Sequence, residues 1–132
     1  KEKGKKKDEG FMILKVLNEE FSVCKVTDYS GTDLTDLFCF IGKTDEECSL
    51  VCLTQKVPAN VVERDDGWRG FRIQGVLDFS LIGILSRISD VLAKNGVGIF
   101  AVSTFNTDYI FMKKDQLEKG IKALKAEGYQ FV

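Results

Sequence analysis

Phe71-Arg-Ile-Gln-Gly-Val-Leu-Asp-Phe-Ser-Leu-Ile-Gly83 and Gly98-Ile-Phe-Ala-Val-Ser-Thr-Phe-Asn-Thr-Asp-Tyr-Ile-Phe-Met112 decide how this chain folds. The first opens with a strand at 69–74 and enters a helix. Its apolar residues Leu81, Ile84, Leu85, Ile88, Val91 and Leu92 recur at i, i+3, i+4 and i+7. Ser80 or Asp78 caps its start, and Asn95-Gly96 stops it. The second stretch reads as strands at 98–104 and 108–112 around a turn at Phe105-Asn-Thr107. A further helix opens at Asp115-Gln-Leu-Glu118, a capping-box-like pair, and buries Leu117, Ile121 and Leu124 until Gly128. Tyr129 to Val132 is a last short strand.

The order is β-α-β-β-α-β, so the expected fold is α+β and ferredoxin-like, with two helices on one face of a four-stranded antiparallel sheet. Working outward, Arg64-Asp-Asp-Gly67 is the clearest break, and the domain boundary is placed there. Residues 1–10 form a disordered tail, 11–66 an N-terminal lobe and 67–132 the helical domain. Within the N-terminal lobe, 11–17 and 21–27 read as a hairpin around Asn18-Glu-Glu20. Residues 28–36 read as loop, 38–41 and 48–53 as strands, and Pro58 opens a helical turn. The lobe echoes the second half: Phe21-Ser-Val-Cys-Lys-Val-Thr-Asp28 resembles Phe71 to Asp78, and Glu47 before Cys48 parallels Asp108 before Tyr109. The expectation is a tandem pair of such units whose first member is helix-poor and degenerate.

Composition limits the chemistry. With 132 residues, 44% of them apolar, the chain suits one globular domain or two small ones sharing a core. A net charge of −1 with 30% charged residues leaves no basic surplus to neutralise phosphates, so nucleic acid is not an expected partner. The absence of histidine removes Ser-His-Asp and Cys-His nucleophiles and the common catalytic zinc sites. Cys24, Cys39, Cys48 and Cys52 form no C-x-x-C pair and read as reduced core residues, with Cys48 and Cys52 on one face of a strand. Metal binding and disulfide or redox chemistry are the alternatives. Neither a signal-peptide core nor a membrane-spanning run is visible, so a cytoplasmic protein with no membrane contact, metal or cofactor is expected.

Two features could carry chemistry. A helix start at Ser80 offers backbone N–H groups and the positive end of the dipole to a carboxylate, with Gly83 allowing close approach. An ordinary capped helix start is the other reading. Asp108 stands where a strand begins and offers a counter-charge to an ammonium or guanidinium, with Ser103, Thr104 and Thr107 nearby. A turn aspartate bonding its own backbone is the alternative there. The ten phenylalanines include Phe38, Phe40, Phe71, Phe79, Phe100, Phe105 and Phe111, most of them expected in the core. The basic, glycine-rich signature of an RNA-stacking sheet is missing.

Residues 67–75 (Gly-Trp-Arg-Gly-Phe-Arg-Ile-Gln-Gly), 77–85, 98–110 and, more weakly, 44–52 resemble the paired ACT-domain proteins related to the CASTOR arginine sensors. The resemblance implies a regulatory amino-acid-binding protein with no catalysis and no cofactor. It places the ligand's carboxylate at Asp78, Phe79, Ser80, Leu81, Ile82 and Gly83, and its amino group or basic side chain at Asp108. Val102, Ser103 and Thr104 line the wall. The arginine sensors carry two ACT pairs in one chain and this chain has one, so a homodimer would complete the site, and a separate regulated protein is implied. A structural interaction module with a non-functional ligand site is the alternative. An enzyme using Asp78 or Asp108 as general base lacks a second titratable partner.

Overall fold

The computed structural model describes residues 12–74 and 82–132. They fall into two compact units, one made of 12–18 with Arg69–Val132, the other of Glu19–Trp68. Strands β1 (Ile13–Val26) and β4 (Val61–Ile73) contribute residues to both.

In the Glu19–Trp68 unit the strand order is β2-β3-β1-β4, with β2 at Phe40–Lys43 and β3 at Cys48–Leu53. β3 is antiparallel to both neighbours, with Phe21 opposite Leu53, Val26 opposite Cys48, and Phe40 opposite Val51. Alternation along β1 and β3 brings Cys24, Val26, Leu50 and Cys52 into one small core, with Tyr29, Cys39, Cys48, Val57 and Val61 packed around it. In place of covering helices, the described residues here have a loop after β1 and one 3-10 turn at Thr54–Lys56. The loop is tied down by side chains. Asn60 Nδ2 donates to Thr27 Oγ1 (2.9 Å) and to the Asp28 carbonyl (3.0 Å), and the Tyr29 hydroxyl donates to the Ser49 carbonyl (2.8 Å). All four cysteines are free thiols. Burial, reinforced by the neighbouring Cys24 thiol, pushes Cys52 up to about 12.

The other unit has the order β7-β1-β4-β6-β5, with β5 at Ile99–Ser103, β6 at Asp108–Lys113 and β7 at Gln130–Phe131. Helices α1 (Ile84–Lys94) and α2 (Leu117–Ala126) supply Ile88, Leu92, Leu117 and Leu124 to a core that also contains Leu14, Phe71, Ile110 and Met112. Each such fully buried side chain stabilises the fold by about 1.5–3 kcal/mol. α1 ends as its sequence predicts: Gly96 takes a left-handed φ of 75°, and the Val97 N–H returns to the Leu92 carbonyl (2.9 Å). From β4 to β7 the elements follow the β-α-β-β-α-β order, with the two helices of the ferredoxin-like arrangement.

Four local expectations are corrected. Asn18-Glu-Glu20 makes no turn: β1 runs unbroken for 14 residues, because the trio has no glycine to reverse the chain and is exposed on a strand with Leu17 and Phe21 buried on either side. Arg64-Asp-Asp-Gly67 makes no break either. β4 runs through it, with Gly67 absorbing a φ of 86°. Residues 12–18, expected with the N-terminal lobe, lie with the C-terminal unit, where β1 intercalates between β7 and β4. It pairs in parallel with β7, Ile13 opposite Gln130, so the sheet is not purely antiparallel. Finally, Asp115 and Glu118 form no capping box. A 3-10 turn at Lys114–Gln116 precedes α2, which has no side-chain cap bond.

The internal echo is clearest in the two hairpins. In each, a threonine closes the turn: the Thr44 N–H reaches the Glu47 carbonyl (3.0 Å), and the Thr104 N–H reaches that of Thr107 (2.8 Å). Lys43 then faces Cys48, as Ser103 faces Asp108, so the counterpart of Asp108 is Cys48 and not Glu47.

Two stability measurements follow. A Cβ on Gly70 would lie 2.3 Å from the Ile110 carbonyl oxygen, so Gly70→Ala should cost about 2 kcal/mol or more in urea unfolding. Gly98→Ala meets nothing within 4 Å and should change stability by less than about 0.5 kcal/mol. Cys52 titrates higher in the folded chain than its ordinary value of 9.0. Its contribution is therefore complete below that pH and is lost as the pH climbs towards 12. Unfolding midpoints between pH 8 and pH 11 should fall more steeply for the native chain than for Cys52→Ala.

Candidate functional site

The β5–β6 hairpin positions the central residue of the predicted site. Beyond the Thr104 N–H bond, the Thr104 hydroxyl donates to the Thr107 carbonyl (3.0 Å), and the Thr107 N–H donates to Thr104 Oγ1 (3.3 Å). The Thr107 hydroxyl donates to the Ile73 carbonyl at 2.6 Å, pinning the turn to the end of β4. These bonds satisfy the turn without Asp108. Its carboxylate is half-buried and makes no hydrogen bond or salt bridge among the described residues. The self-capping turn aspartate is thus not what is observed.

Strand alternation decides which predicted residues share a face. Asp108, Ile110 and Met112 point one way, together with Ser103, Ala101 and Ile99 opposite them. Ile110, Met112 and Ile99 pack in the helix-covered core, so Asp108 and Ser103 project on that side, at its margin. Val102 and its partner Tyr109 project from the other face. There Arg72 donates to the Tyr109 hydroxyl (3.4 Å), its guanidinium 6.0 Å from the ring centroid, and also donates to Gln74 Oε1 (2.8 Å). Ser103 and Asp108 are therefore brought together, with Thr104 adjoining, and the Val102 side chain is not.

At the helix side of the prediction, Asp78, Phe79, Ser80 and Leu81 lie outside the described residues. Ile82 and Gly83 are described, and they show a start later than Ser80. α1 begins at Ile84, with Gly83 before it at φ 81° and no side-chain cap. Gly83 is thus required by a left-handed backbone and not by space, since a Cβ there would meet only Arg87 Nη1 at 3.7 Å. The sequence reading missed Arg87, whose N–H donates to the Gly83 carbonyl (2.9 Å) and whose Nη1 donates to the Ile82 carbonyl (3.1 Å). Uncapped first-turn N–H groups, the dipole and this guanidinium make the helix start electropositive. A base four residues beyond a glycine was the only signal for it. Phe105, in the predicted turn, is fully exposed, and Ile82 is 83% exposed.

Elsewhere in this unit, a shallow hollow is lined by Asn95, Asp115, Glu118, Lys119, Lys122 and Ala123, none of them predicted site residues. Among the described residues, no group of three or more acidic, cysteine or histidine side chains could hold a metal ion, and no helix is long and apolar enough to cross a membrane.

The family model described as ACT domain matches residues 63–126. Among solved structures, protein Atu0741 from Agobacterium tumefaciens is 32% identical, with 92% of each chain covered and a TM-score of 0.77. Protein VC0802 from Vibrio cholerae is 17% identical over 94% of this chain and 97% of its own, with a TM-score of 0.71. The regulatory subunit of aspartate kinase from Thermus thermophilus, in its ligand-free form, is 10% identical over 86% and 95%, with a TM-score of 0.56. The last two show the shared fold. No curated protein matches the chain. The chain carries an ACT domain and belongs to one family with Atu0741.

The site geometry can be checked by stability alone. Asp108→Asn removes a carboxylate with no partner among the described residues and should leave the melting temperature within about a degree. Thr107→Val strips the bond to the Ile73 carbonyl and should cost about 1 kcal/mol.

Proposed function

We propose that this chain is a non-catalytic regulatory protein that binds an amino acid. The observation that carries the reading is the Asp108 carboxylate, half-buried beside Ser103 on a turn that other groups close. Such a carboxylate suits an ammonium or guanidinium. The start of α1 offers the opposite pole, with uncapped N–H groups and Arg87 suited to a carboxylate. In this reading Asp78, Phe79, Ser80, Leu81, Ile82 and Gly83 hold the ligand's carboxylate and Asp108 its amino group or basic side chain. Ser103 and Thr104 add hydrogen bonds, and Val102 contributes only its backbone.

Membership of a family with an ACT domain supports a regulatory, ligand-binding role, as does the fold shared with an aspartate kinase regulatory subunit. The finer assignments also belong to the proposal: a cytoplasmic, CASTOR-like homodimer acting on a separate protein, with the Glu19–Trp68 unit as the degenerate member of a tandem pair. The matching threonine-closed turns at Thr44 and Thr104 support the tandem. A second reading, an interaction module without a ligand, is favoured by the full exposure of Phe105.

Isothermal titration of the full chain against each of the twenty amino acids at millimolar concentration separates the two. Heat is expected with at least one of them. Asp108→Ala should weaken that binding on the order of 10- to 100-fold, the worth of a charge-assisted hydrogen bond, without lowering the melting temperature. Silence from all twenty supports the interaction module and ends the amino-acid reading.

A further inference from the structure

All four cysteines of the chain lie in or against the small core of the Glu19–Trp68 unit. Strand register decides which of them meet. Cys24 of β1 stands opposite Leu50 and Cys52 of β3 opposite Ser22, so the two cysteines are diagonal neighbours on one face of the sheet. Both are buried, at 3% and 5% exposure. Burial raises both thiols. The hydrogen bond they share lowers Cys24 and raises Cys52, so the Cys52 thiol donates and the Cys24 sulfur accepts.

Diagonal partners stand about 7–8 Å apart at Cα, beyond the roughly 4.4–6.8 Å of a disulfide, so an S–S bond does not fit with the strands in place. Two collinear metal–thiolate bonds of about 2.3 Å instead hold their sulfurs about 4.6 Å apart, a span that diagonal side chains reach without moving the backbone. No third ligand joins them. Cys39 is near enough for its charge to raise Cys52, yet among the described residues no three acidic, cysteine or histidine side chains gather closely enough to hold an ion. Zinc and iron–sulfur centres, which take four such ligands, do not fit. A soft, closed-shell monovalent ion does, because two opposed thiolates satisfy it.

We propose that Cys24 and Cys52 form a two-coordinate site for monovalent copper, their sulfurs opposed across the ion and Arg64 as the outer charge. On binding, two S–H bonds break, two Cu–S bonds form and two protons leave to solvent. Copper keeps its oxidation state, so no oxidant or reductant enters. The ion and two thiolates carry one excess negative charge, which a buried site must answer. Arg64 does so, since its charge favours the thiolate at both cysteines. The guanidinium is held by a polar network: Arg64 Nε donates to Asp66 Oδ1 (3.1 Å), which lies 2.5 Å from the hydroxyl of Ser22, the buried residue opposite Cys52. Asp66 acts the other way on Cys24, and the ion-paired Arg64 offsets it. The site lies in the helix-poor unit and does not depend on the amino-acid reading.

The full chain, reduced and kept from air, is titrated with Cu(I) against a chromogenic Cu(I) chelator. One equivalent should be withdrawn, with a sulfur-to-copper charge-transfer band. Cys24→Ala and Cys52→Ala should each weaken binding by more than about 100-fold, beyond the cost of losing an outer-shell partner, and Arg64→Gln by roughly 10-fold. Cys39→Ala and Cys48→Ala should leave it unchanged. A native chain that leaves the copper with the chelator overturns the proposal, as does a loss in Cys39→Ala or Cys48→Ala equal to that in Cys24→Ala. Should Cys24→Ala and Cys52→Ala lose the native circular dichroism, X-ray absorption of the copper-loaded native chain decides. Two sulfur neighbours at one distance support the site, and a shell of three sulfurs, or of nitrogen and oxygen, overturns it.

Discussion

Residues 13–18 of β1 hydrogen-bond β7 along one edge and neighbour β4 along the other, and the C-terminal unit depends on that intercalation. The Val132 N–H reaches the Leu14 carbonyl at 2.8 Å, and the Gln74 N–H reaches that of Ile13 at 2.7 Å. β7 is only two residues long, so its pairing with a longer strand, and the packing of Phe131 edge-on against Phe71, keep it in the sheet. The same alternation that orders these bonds sends Leu14 into the core beneath α1 and α2. Removing this strand would expose a row of backbone donors and acceptors together with an apolar face.

From that sheet the site inherits its geometry. β4 ends at Ile73, whose carbonyl is the anchor for the Thr107 hydroxyl, so the hairpin turn is fixed relative to the strand leading towards α1. Because threonine hydroxyls close the turn, Asp108 is released from a structural duty that aspartates at turns commonly perform. Its lack of a partner among the described residues is therefore a consequence of which neighbours cap the backbone.

Much of this was legible from residue order. The period of 3.6 in Ile84 to Leu92, the stop at Asn95-Gly96 and the apolar run Cys48 to Leu53 each name their element, because a single local force dominates there. The misreadings share a cause. Asn18-Glu-Glu20 and Arg64-Asp-Asp-Gly67 are polar enough to suggest a turn and a boundary, yet both lie in long strands whose backbone bonds are made to segments distant in sequence. Polarity reported exposure correctly and chain reversal wrongly. In the site, the Ser103–Asp108 pairing was implicit in the hairpin. The side-chain direction of Val102 needed a register, and the later start of α1 turned on the left-handed Gly83.

The two hairpins show how one backbone device can carry different chemistry. Each turn is closed by its first threonine, Thr44 or Thr104, and each is followed by a strand and then a 3-10 turn. At the first paired position one hairpin has Lys43 and Cys48, the other Ser103 and Asp108. Cys48 and Tyr29 both pack against the small core, the Tyr29 hydroxyl committed to the Ser49 carbonyl. The tips diverge as well, Asp45-Glu46 in one and the exposed Phe105 in the other. Shared hydrogen bonding preserves the turn, while the residues it leaves free differ. The carboxylate without a partner among the described residues therefore lies in the helical unit, while the matching position of the helix-poor unit packs against its core.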